Sequence, residues 1–277
     1  MNILYKDIVN IKTKNKNKKG TIMFIHGFTS SNMLHYYFQK NFPENSEYDY
    51  LAINLLGHKL ESKNSTNNKD YNFFNYVEYL ERYIIENDLN NLIIIGHSMG
   101  GGIALFLTER IKSRIKKIIL VSAINSSIFM SKVGIEFINC MSNNSLNGIK
   151  NIEFFKNQVE INNNNNDSNA DDNIKKYIFY EIDRFLKNKK KYIYLGAQLI
   201  DPGLYIKLDK IYKKNKIPTL FLIGKFDKVI PYTYTIKYLR QLKNSHLTIK
   251  TIANASHVCF VDNFKEYNDY VWWFINL

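Results

Sequence analysis

The chain has 277 residues, of which 45% are hydrophobic, enough apolar material for one sizeable core with an insertion. Its formal net charge is +13, and only five of its 38 basic residues are arginine. We interpret this lysine-rich and asparagine-rich balance mainly as compositional drift. It argues against a nucleic-acid partner and leaves, at most, weak association with an anionic membrane surface.

Cysteine usage and hydropathy bear on the compartment. The two cysteines, Cys140 and Cys259, do not make a disulfide framework, which favours a reducing environment. Residues 1–7 lack the apolar stretch of a secretory signal, and no apolar run approaches the roughly 20 residues of a membrane span. We therefore expect a soluble, cytoplasmic protein.

Strand-like and helix-like patterns alternate along the first part of the chain. The strand-like runs lie near residues 3–11, 21–25, 50–53, 92–95 and 115–121. Between the third and fourth runs, helical spacing is shown by Phe73, Tyr76, Val77, Leu80 and Ile84. This alternation predicts an α/β fold with a mostly parallel sheet covered by helices on both faces.

The alternation stops after Ser122 and returns at Ile217. Between them lie helical patches, such as 133–138 and 174–186, and an asparagine-rich segment at 162–169 that we expect to form a surface loop. The predicted organisation is a core made of residues 1–125 and 216–277, interrupted by an inserted helical segment at 126–215.

The run at 92–95 ends abruptly in Gly96-His97-Ser98-Met99-Gly100, a G-x-S-x-G pentapeptide. This pattern predicts a nucleophile elbow, in which Ser98 sits on a strained turn between a strand and a helix. Gly96 and Gly100 fit this geometry because the crossing chain leaves no room for side chains. The alternative is a glycine-rich strand end without chemistry.

A nucleophilic serine needs a base and an acid that orients the base. The apolar run at 217–223 leads into a turn carrying Asp227, the candidate acid, and the alternating run at 247–252 leads to His257, the candidate base. The order Ser98, Asp227, His257 is that of the α/β-hydrolase fold.

On these residues the chain resembles an α/β-hydrolase of the serine esterase and lipase type. The stretch Gly-His-Ser-Met-Gly-Gly at 96–101 is especially similar to monoglyceride lipases, lysophospholipases and carboxylesterases. The resemblance covers most of the chain except its middle third. It implies that 126–215 is a helical cap, or lid, which determines substrate choice.

The resemblance also implies an oxyanion hole at the end of the 21–25 run, where His26-Gly27 matches the His-Gly turn of these enzymes. The donors would be the backbone amides of Phe28 and Met99, with Gly27 allowing close approach to the substrate. His26 would orient this loop, and His97 would serve in packing. No cofactor or metal is implied, and no cluster of residues has metal-ligand spacing.

We therefore predict a serine hydrolase that cleaves small-molecule acyl esters through an acyl-enzyme intermediate. Acyl-thioester and carbon–carbon bond hydrolases share the serine elbow and His-Gly turn, so both stay open. Epoxide hydrolases and haloalkane dehalogenases carry aspartate where Ser98 stands and are disfavoured. A non-catalytic interaction module on this fold is a further alternative, although all three triad residues are present.

Two features of the sequence leave open the shape of one turn and the role of the apolar residues in the cap. Where the family often has an acid and a glycine after the third strand, this chain has Asn54 and Lys59, which bears on local turn geometry. Ten apolar residues of the cap would form either the roof of an acyl pocket or the cap's own core. These are Ile135, Phe137, Ile138, Met141, Tyr177, Phe179, Tyr180, Phe185, Tyr194 and Leu195.

Overall fold

The structure, a computed structural model, describes residues 7–58, 70–130, 132, 181, 184–185 and 187–277. The predictions for 133–138, for the loop at 162–169, for Lys59 and for most of 174–186 concern residues outside these ranges. Seven of the ten predicted roof residues also lie outside them: Ile135, Phe137, Ile138, Met141, Tyr177, Phe179 and Tyr180.

In the part of the chain that the structure describes, seven strands form one sheet. They are β1 (Ile8–Ile11), β2 (Gly20–Ile25), β3 (Tyr48–Ile53), β4 (Leu92–His97), β5 (Ile115–Val121), β6 (Thr219–Gly224) and β7 (Leu247–Ile252). Their order across the sheet is β1-β3-β2-β4-β5-β6-β7. Only the β1–β3 pair is antiparallel among these strands, so the predicted mostly parallel sheet is confirmed.

Helices alternate with the strands along the chain. They are α1 (Tyr36–Lys40), α2 (Phe73–Glu86), α3 (Met99–Arg110), α4 (Lys189–Leu199), α5 (Pro202–Lys214), α6 (Tyr232–Gln241), α7 (Cys259–Asp262) and α8 (Phe264–Asn276). Short 3-10 turns lie at Asn32–His35, Lys112–Arg114 and Ser126–Met130. In the described ranges, no helix combines the length and apolar character needed to cross a bilayer.

The central strand β4 shows why the sheet is buried. Leu92 and Ile94 belong to one apolar cluster, whereas Ile93 and Ile95 belong to a second cluster. Successive side chains of a strand point to opposite faces, so β4 is covered on both sides. This accounts for its continuous apolar sequence, which is typical of parallel strands.

The two clusters correspond to two helical layers. Helices α2, α3, α5 and α6 contribute to the first cluster, and α1, α7 and α8 contribute to the second. All five apolar residues that predicted α2 are buried. The side chain of Asn72 caps this helix by accepting hydrogen bonds from the amides of Phe74 and Asn75.

Helices α4 and α5, which lie between β5 and β6, pack on the first cluster. Tyr192 and Leu195 of α4 are fully buried there, whereas Tyr194 is 47% exposed. Tyr212 of α5 donates a hydrogen bond across 3.1 Å to the carbonyl oxygen of Ile124. The division of the chain into a core and a cap at 126–215 stays a prediction.

The parallel strands bring distant loops to one edge of the sheet. Six strands point the same way, so the loops that follow β2, β3, β4, β5, β6 and β7 all leave from their carboxyl ends. In open parallel sheets this edge is where ligands bind. The predicted site residues come from four of these loops.

Candidate active site

Ser98 is the single residue between the end of β4 and the start of α3, and its backbone adopts φ 52° and ψ −118°. Positive φ is uncommon outside glycine, and such strain concentrates at functional sites. The Ser98 amide donates to the Val121 carbonyl at 2.9 Å, and the Ser98 carbonyl accepts from the amides of Gly101 and Ile124. Contacts with β5 and the chain after it therefore hold the sharp turn.

Neither glycine of the elbow has room for a side chain. A Cβ atom on Gly96 would lie 2.6 Å from the carbonyl oxygen of Gly100. A Cβ atom on Gly100 would lie 2.2 Å from the carbonyl oxygen of Ile25, at the end of β2. The close approach of α3 to β2 and β4 thus requires glycine at both positions.

Asp227 and His257 come together from the loops after β6 and β7. The Nδ1 atom of His257 lies 3.0 Å from Oδ2 of Asp227, whose side chain is fully buried. The other oxygen, Oδ1, accepts hydrogen bonds from the backbone amides of Val229 and Ile230, at 3.0 and 2.9 Å. These two amides fix the rotation of the carboxylate, so one oxygen faces the imidazole.

The loop that carries His257 is anchored at two residues that precede this histidine. Before it, the amide and hydroxyl of Ser256 both donate to Oδ2 of Asp262, at 2.7 and 2.5 Å. Further back, the amide of Ala253 donates to Oε2 of Glu266 across 2.8 Å. Two acidic side chains of the α7–α8 region therefore set the path of this loop.

His97, for which the sequence predicts a packing role, provides a further anchor. Its Nε2 lies 3.0 Å from the carbonyl oxygen of His257, and the two rings are 4.8 Å apart between centroids. Burial, followed by the nearby charge of His257, holds the pKa of His97 well below its usual range. His97 is therefore neutral, and it links the residue beside Ser98 to the loop of the candidate base.

Gly27 lies against the elbow on the other side. A Cβ atom there would be 3.1 Å from both the Ser98 Cβ and the His97 Nδ1. His26 accepts a hydrogen bond at Nε2 from the amide of Leu55 and donates from Nδ1 to the carbonyl of Gly27. These bonds tie the His26-Gly27 turn to the loop after β3.

The protonation state of His26 follows from its partners. An amide can only donate and a carbonyl oxygen can only accept, so the imidazole is neutral with its proton on Nδ1. Burial lowers the pKa of His26 to about 3, and the nearby Arg184 charge contributes in the same direction. This histidine is therefore suited to orient the turn rather than to exchange protons.

The two predicted oxyanion donors each follow a residue of the elbow region, since Met99 comes directly after Ser98 and Phe28 comes directly after Gly27. Met99 is the fully buried first residue of α3, and amides in a helical first turn have no partner within the helix. Phe28 follows the Gly27 turn, with its ring 5.9 Å from that of Tyr192 in α4. The assignment of the Phe28 and Met99 amides to an oxyanion hole stays a prediction.

Arg184 is a buried residue that no sequence motif indicates. Its guanidinium donates to the carbonyl oxygens of Thr29, Ser30 and His58, and it pairs with the Glu181 carboxylate. A planar group with five donors can satisfy several carbonyls at once, which lysine cannot do. Arg184, which lies between β5 and β6 in the chain, thus connects to the loops after β2 and β3.

The departure at Asn54 has a structural role. Its Oδ1 accepts a hydrogen bond from the amide of Asn32 at 2.7 Å, and its Nδ2 donates to Oδ1 of Asp7 at 3.3 Å.

Elsewhere, Cys259 is a buried free thiol whose pKa is raised by burial. Across the ranges that the structure describes, no three His, Cys, Asp or Glu side chains converge as a metal site would require.

Comparison with known proteins places these features in context. A family model described as the alpha/beta hydrolase fold matches residues 20–143. A Mycoplasma genitalium protein named "Putative esterase/lipase 3" is 26% identical over 256 residues, which cover 91% of this chain and 85% of that protein. The similarity therefore extends well beyond the elbow motif.

Solved structures resemble the chain over nearly its full length. The esterase EaEST from Exiguobacterium antarcticum superposes with a TM-score of 0.72 at 17% identity, covering 98% of this chain and 95% of that one. A meta-cleavage product hydrolase from Pseudomonas fluorescens IP01 gives a TM-score of 0.67 at 15% identity, covering 97% and 93%. The same arrangement of strands and helices is thus common to proteins of very different sequence.

Proposed function

We propose that this chain, which has the α/β-hydrolase fold, is a hydrolase that cleaves carboxylic esters through an acyl-enzyme formed on Ser98. The observation that carries the proposal is the 3.0 Å contact between Asp227 and His257, at the sheet edge where Ser98 occupies a strained elbow. Serine, histidine and aspartate in this chain order are the parts that acyl transfer needs.

In the proposed reaction, His257 accepts the hydroxyl proton of Ser98 while the serine oxygen attacks the ester carbonyl carbon. The amides of Phe28 and Met99 stabilise the negative oxygen of the tetrahedral intermediate. His257 then gives its proton to the departing alcohol, which leaves an acyl-serine. Water loses a proton to His257, attacks the acyl-serine and releases the carboxylic acid.

Asp227 would act through His257. The carboxylate accepts from the Nδ1 side of the imidazole, which leaves Nε2 free of the proton and able to act as a base. It also stabilises the imidazolium that forms in each step. The two amides on Oδ1 support this role because they prevent the carboxylate from rotating away.

We propose that the inserted segment at 126–215 forms a cap that selects the acyl group. The contact of Tyr192 with Phe28 supports this, since it joins α4 to the residue beside the His26-Gly27 turn. Arg184 adds a second link, through the carbonyls of Thr29 and Ser30. A movement of the cap would therefore displace Phe28 and the His26-Gly27 turn, which carry one of the two proposed oxyanion donors.

The test is hydrolysis of p-nitrophenyl esters from acetate to palmitate by the wild-type protein and by Ser98→Ala. We expect turnover that Ser98→Ala abolishes, with an optimum in chain length that reports the size of the acyl pocket. Ser113→Ala is the matched control. Ser113 is exposed and precedes the amino end of β5, whereas the candidate active site lies at the carboxyl ends of the strands. Turnover by Ser98→Ala equal to that of the wild type would refute the assignment.

A fluorophosphonate probe separates the alternatives. Labelling of Ser98 without hydrolysis of any ester favours an acyl-thioester or a carbon–carbon bond as the substrate. The likeness to a meta-cleavage product hydrolase makes the carbon–carbon substrate a concrete second candidate. Absence of both labelling and turnover favours a non-catalytic module, because only an activated serine reacts rapidly with the probe.

A further inference from the structure

The part of the chain that follows Asp227 is unusually basic. No aspartate or glutamate occurs between Asp227 and Asp262, and the same stretch carries five lysine or arginine residues. These are Lys228, Lys237, Arg240, Lys243 and Lys250. Because this stretch forms α6 and β7, the fold gathers the excess positive charge at one end of the sheet.

Helix α6 and the two residues that follow it concentrate three of these charges around one groove. The groove has a volume of about 510 Å³ and is lined by Tyr232, Thr233, Ile236, Lys237, Arg240, Gln241 and Lys243. Its lining is thus cationic at three positions and apolar or aromatic at two. Lys225 adds a fourth cation, since its Nζ lies 4.3 Å above the centre of the Tyr232 ring.

Lys237, Arg240 and Lys243 are exposed, and they take part in none of the ion pairs found among the described residues. Some exposed cations elsewhere are neutralised locally, as Arg110 is by Glu78 and Glu81. The groove therefore presents positive charge that no carboxylate of this part of the chain offsets.

Two exposed aromatic side chains belong to the same stretch of the chain. Phe226, next to Asp227 in the chain, is 54% exposed, and Tyr234 on α6 is 45% exposed. Aromatic rings that stand in solvent among cations are characteristic of proteins that rest on a bilayer surface. We call Phe226, Tyr232, Tyr234, Lys237, Arg240 and Lys243 together the basic face.

We propose that the basic face docks the enzyme on bilayers that contain anionic lipids. The cations match anionic headgroups, and Phe226 and Tyr234 match the boundary between headgroups and acyl chains. The inference rests on the proposed function, because an esterase that is held on a bilayer has access to esters that reside in membranes. A single-stranded nucleic acid also pairs charge with ring stacking, so it is a competing outcome of the test.

The experiment is co-sedimentation of the purified chain with phosphatidylcholine vesicles, with and without about one third phosphatidylglycerol. We expect binding only to the anionic vesicles, and its loss at about 1 M salt, where the screening length falls to about 3 Å. Reversal of three charges in Lys237→Glu/Arg240→Glu/Lys243→Glu should lower the partition coefficient at least about 100-fold.

The matched control is Lys112→Glu/Lys116→Glu/Lys265→Glu. Each triple variant removes six charges, from +13 to +7, and the control residues are exposed positions outside the basic face. The control should retain most of the binding, and both variants should hydrolyse a soluble p-nitrophenyl ester like the wild type. Ser98→Ala should bind vesicles normally, which separates failure of docking from failure of catalysis.

Three results would overturn the proposal. The first is equal binding to neutral and anionic vesicles, and the second is equal loss of binding in the two triple variants. The third is binding of an oligonucleotide, but not of vesicles, through Lys237, Arg240 and Lys243. A loss confined to the basic-face variant, with intact hydrolysis of the soluble ester, supports it.

Discussion

The imidazole of His97 donates a hydrogen bond from Nε2 to the carbonyl oxygen of His257, across 3.0 Å. A carbonyl oxygen can only accept, so the proton of His97 is on Nε2. Burial keeps the pKa of His97 far below its usual range, so this histidine carries no charge beside His257. A neutral His97 does not oppose the positive charge that His257 gains during the proposed reaction.

This contact predicts that His97 positions the base. Replacement in His97→Leu removes the donor, and we expect kcat to fall by about tenfold to 100-fold with a smaller change in KM, because small displacements of a catalytic group are costly. His97→Gln, which restores an N–H donor, should recover part of the rate. Titration of active sites with a fluorophosphonate separates slower chemistry from a loss of folded enzyme.

A purely structural role would give a different pattern. In that case His97→Leu would lower the number of titratable sites and leave the rate per site unchanged, and His97→Gln would bring no recovery of kcat.

Asp227→Asn should reduce kcat by about 10⁴-fold. The amides of Val229 and Ile230 require an acceptor at Oδ1, so the new amide nitrogen must face Nδ1 of His257. That nitrogen is a donor, which favours the imidazole tautomer with its proton on Nε2, and this tautomer cannot accept the proton of Ser98.

The measurement is the rate of ester hydrolysis together with the rate of fluorophosphonate labelling. Asp209→Asn is the control, because Asp209 accepts hydrogen bonds from Ser126 and Tyr238 rather than from a histidine. A nearly unchanged kcat in Asp227→Asn would show that the acid has been assigned to the wrong residue.

The sequence allowed the sheet and the elbow to be predicted because both depend on local patterns. The apolar run of β4 and the glycines around Ser98 are contiguous, and periodicity alone located α2. Two contacts could not be predicted from local patterns because their partners are distant in the sequence. His97 binds the carbonyl oxygen of a residue 160 positions away, and Arg184 binds that of Ser30, 154 positions away. One signal for Arg184 was present: arginine is rare in this chain, and only a guanidinium suits several carbonyls at once.

Gly100→Ala should destabilise the protein by about 3 kcal/mol or more, because its Cβ would lie 2.2 Å from a backbone oxygen of Ile25 that cannot move aside. Gly203→Ala provides the comparison. There the Cβ would lie 3.2 Å from Oδ1 of Asp201, a side-chain atom that can shift, so we expect a change within about 1 kcal/mol. Thermal unfolding followed by circular dichroism distinguishes the two variants, and similar midpoints would contradict the close packing of α3 on β2.

Folding stability should fall as the pH drops below about 6.5, because several histidines are buried in neutral form. Burial lowers the pKa of His26, His35, His58 and His97. A histidine of this kind takes up a proton in the unfolded chain near pH 6.5 but not in the fold. Its contribution is therefore fully present above that pH and is lost toward the lower pKa of the folded state.

His35 allows this linkage to be tested away from the candidate active site. It bonds to the hydroxyls of Tyr50 and Tyr267, at 2.9 and 2.7 Å, and its ring stacks between Phe24 and Phe38. The free energy of unfolding in urea should drop between about pH 7.5 and about pH 5.5 by about 1.4 kcal/mol for each such histidine. At the higher pH, His35→Phe should be less stable than the wild type, because the hydroxyls of Tyr50 and Tyr267 lose their hydrogen bonds to His35. Between the two pH values, however, its free energy of unfolding should fall by about 1.4 kcal/mol less than that of the wild type.

The exposed His246 serves as the control, and His246→Gln should keep the full decrease. An identical pH dependence in His35→Phe and the wild type would mean that His35 does not contribute to the acid sensitivity of the fold.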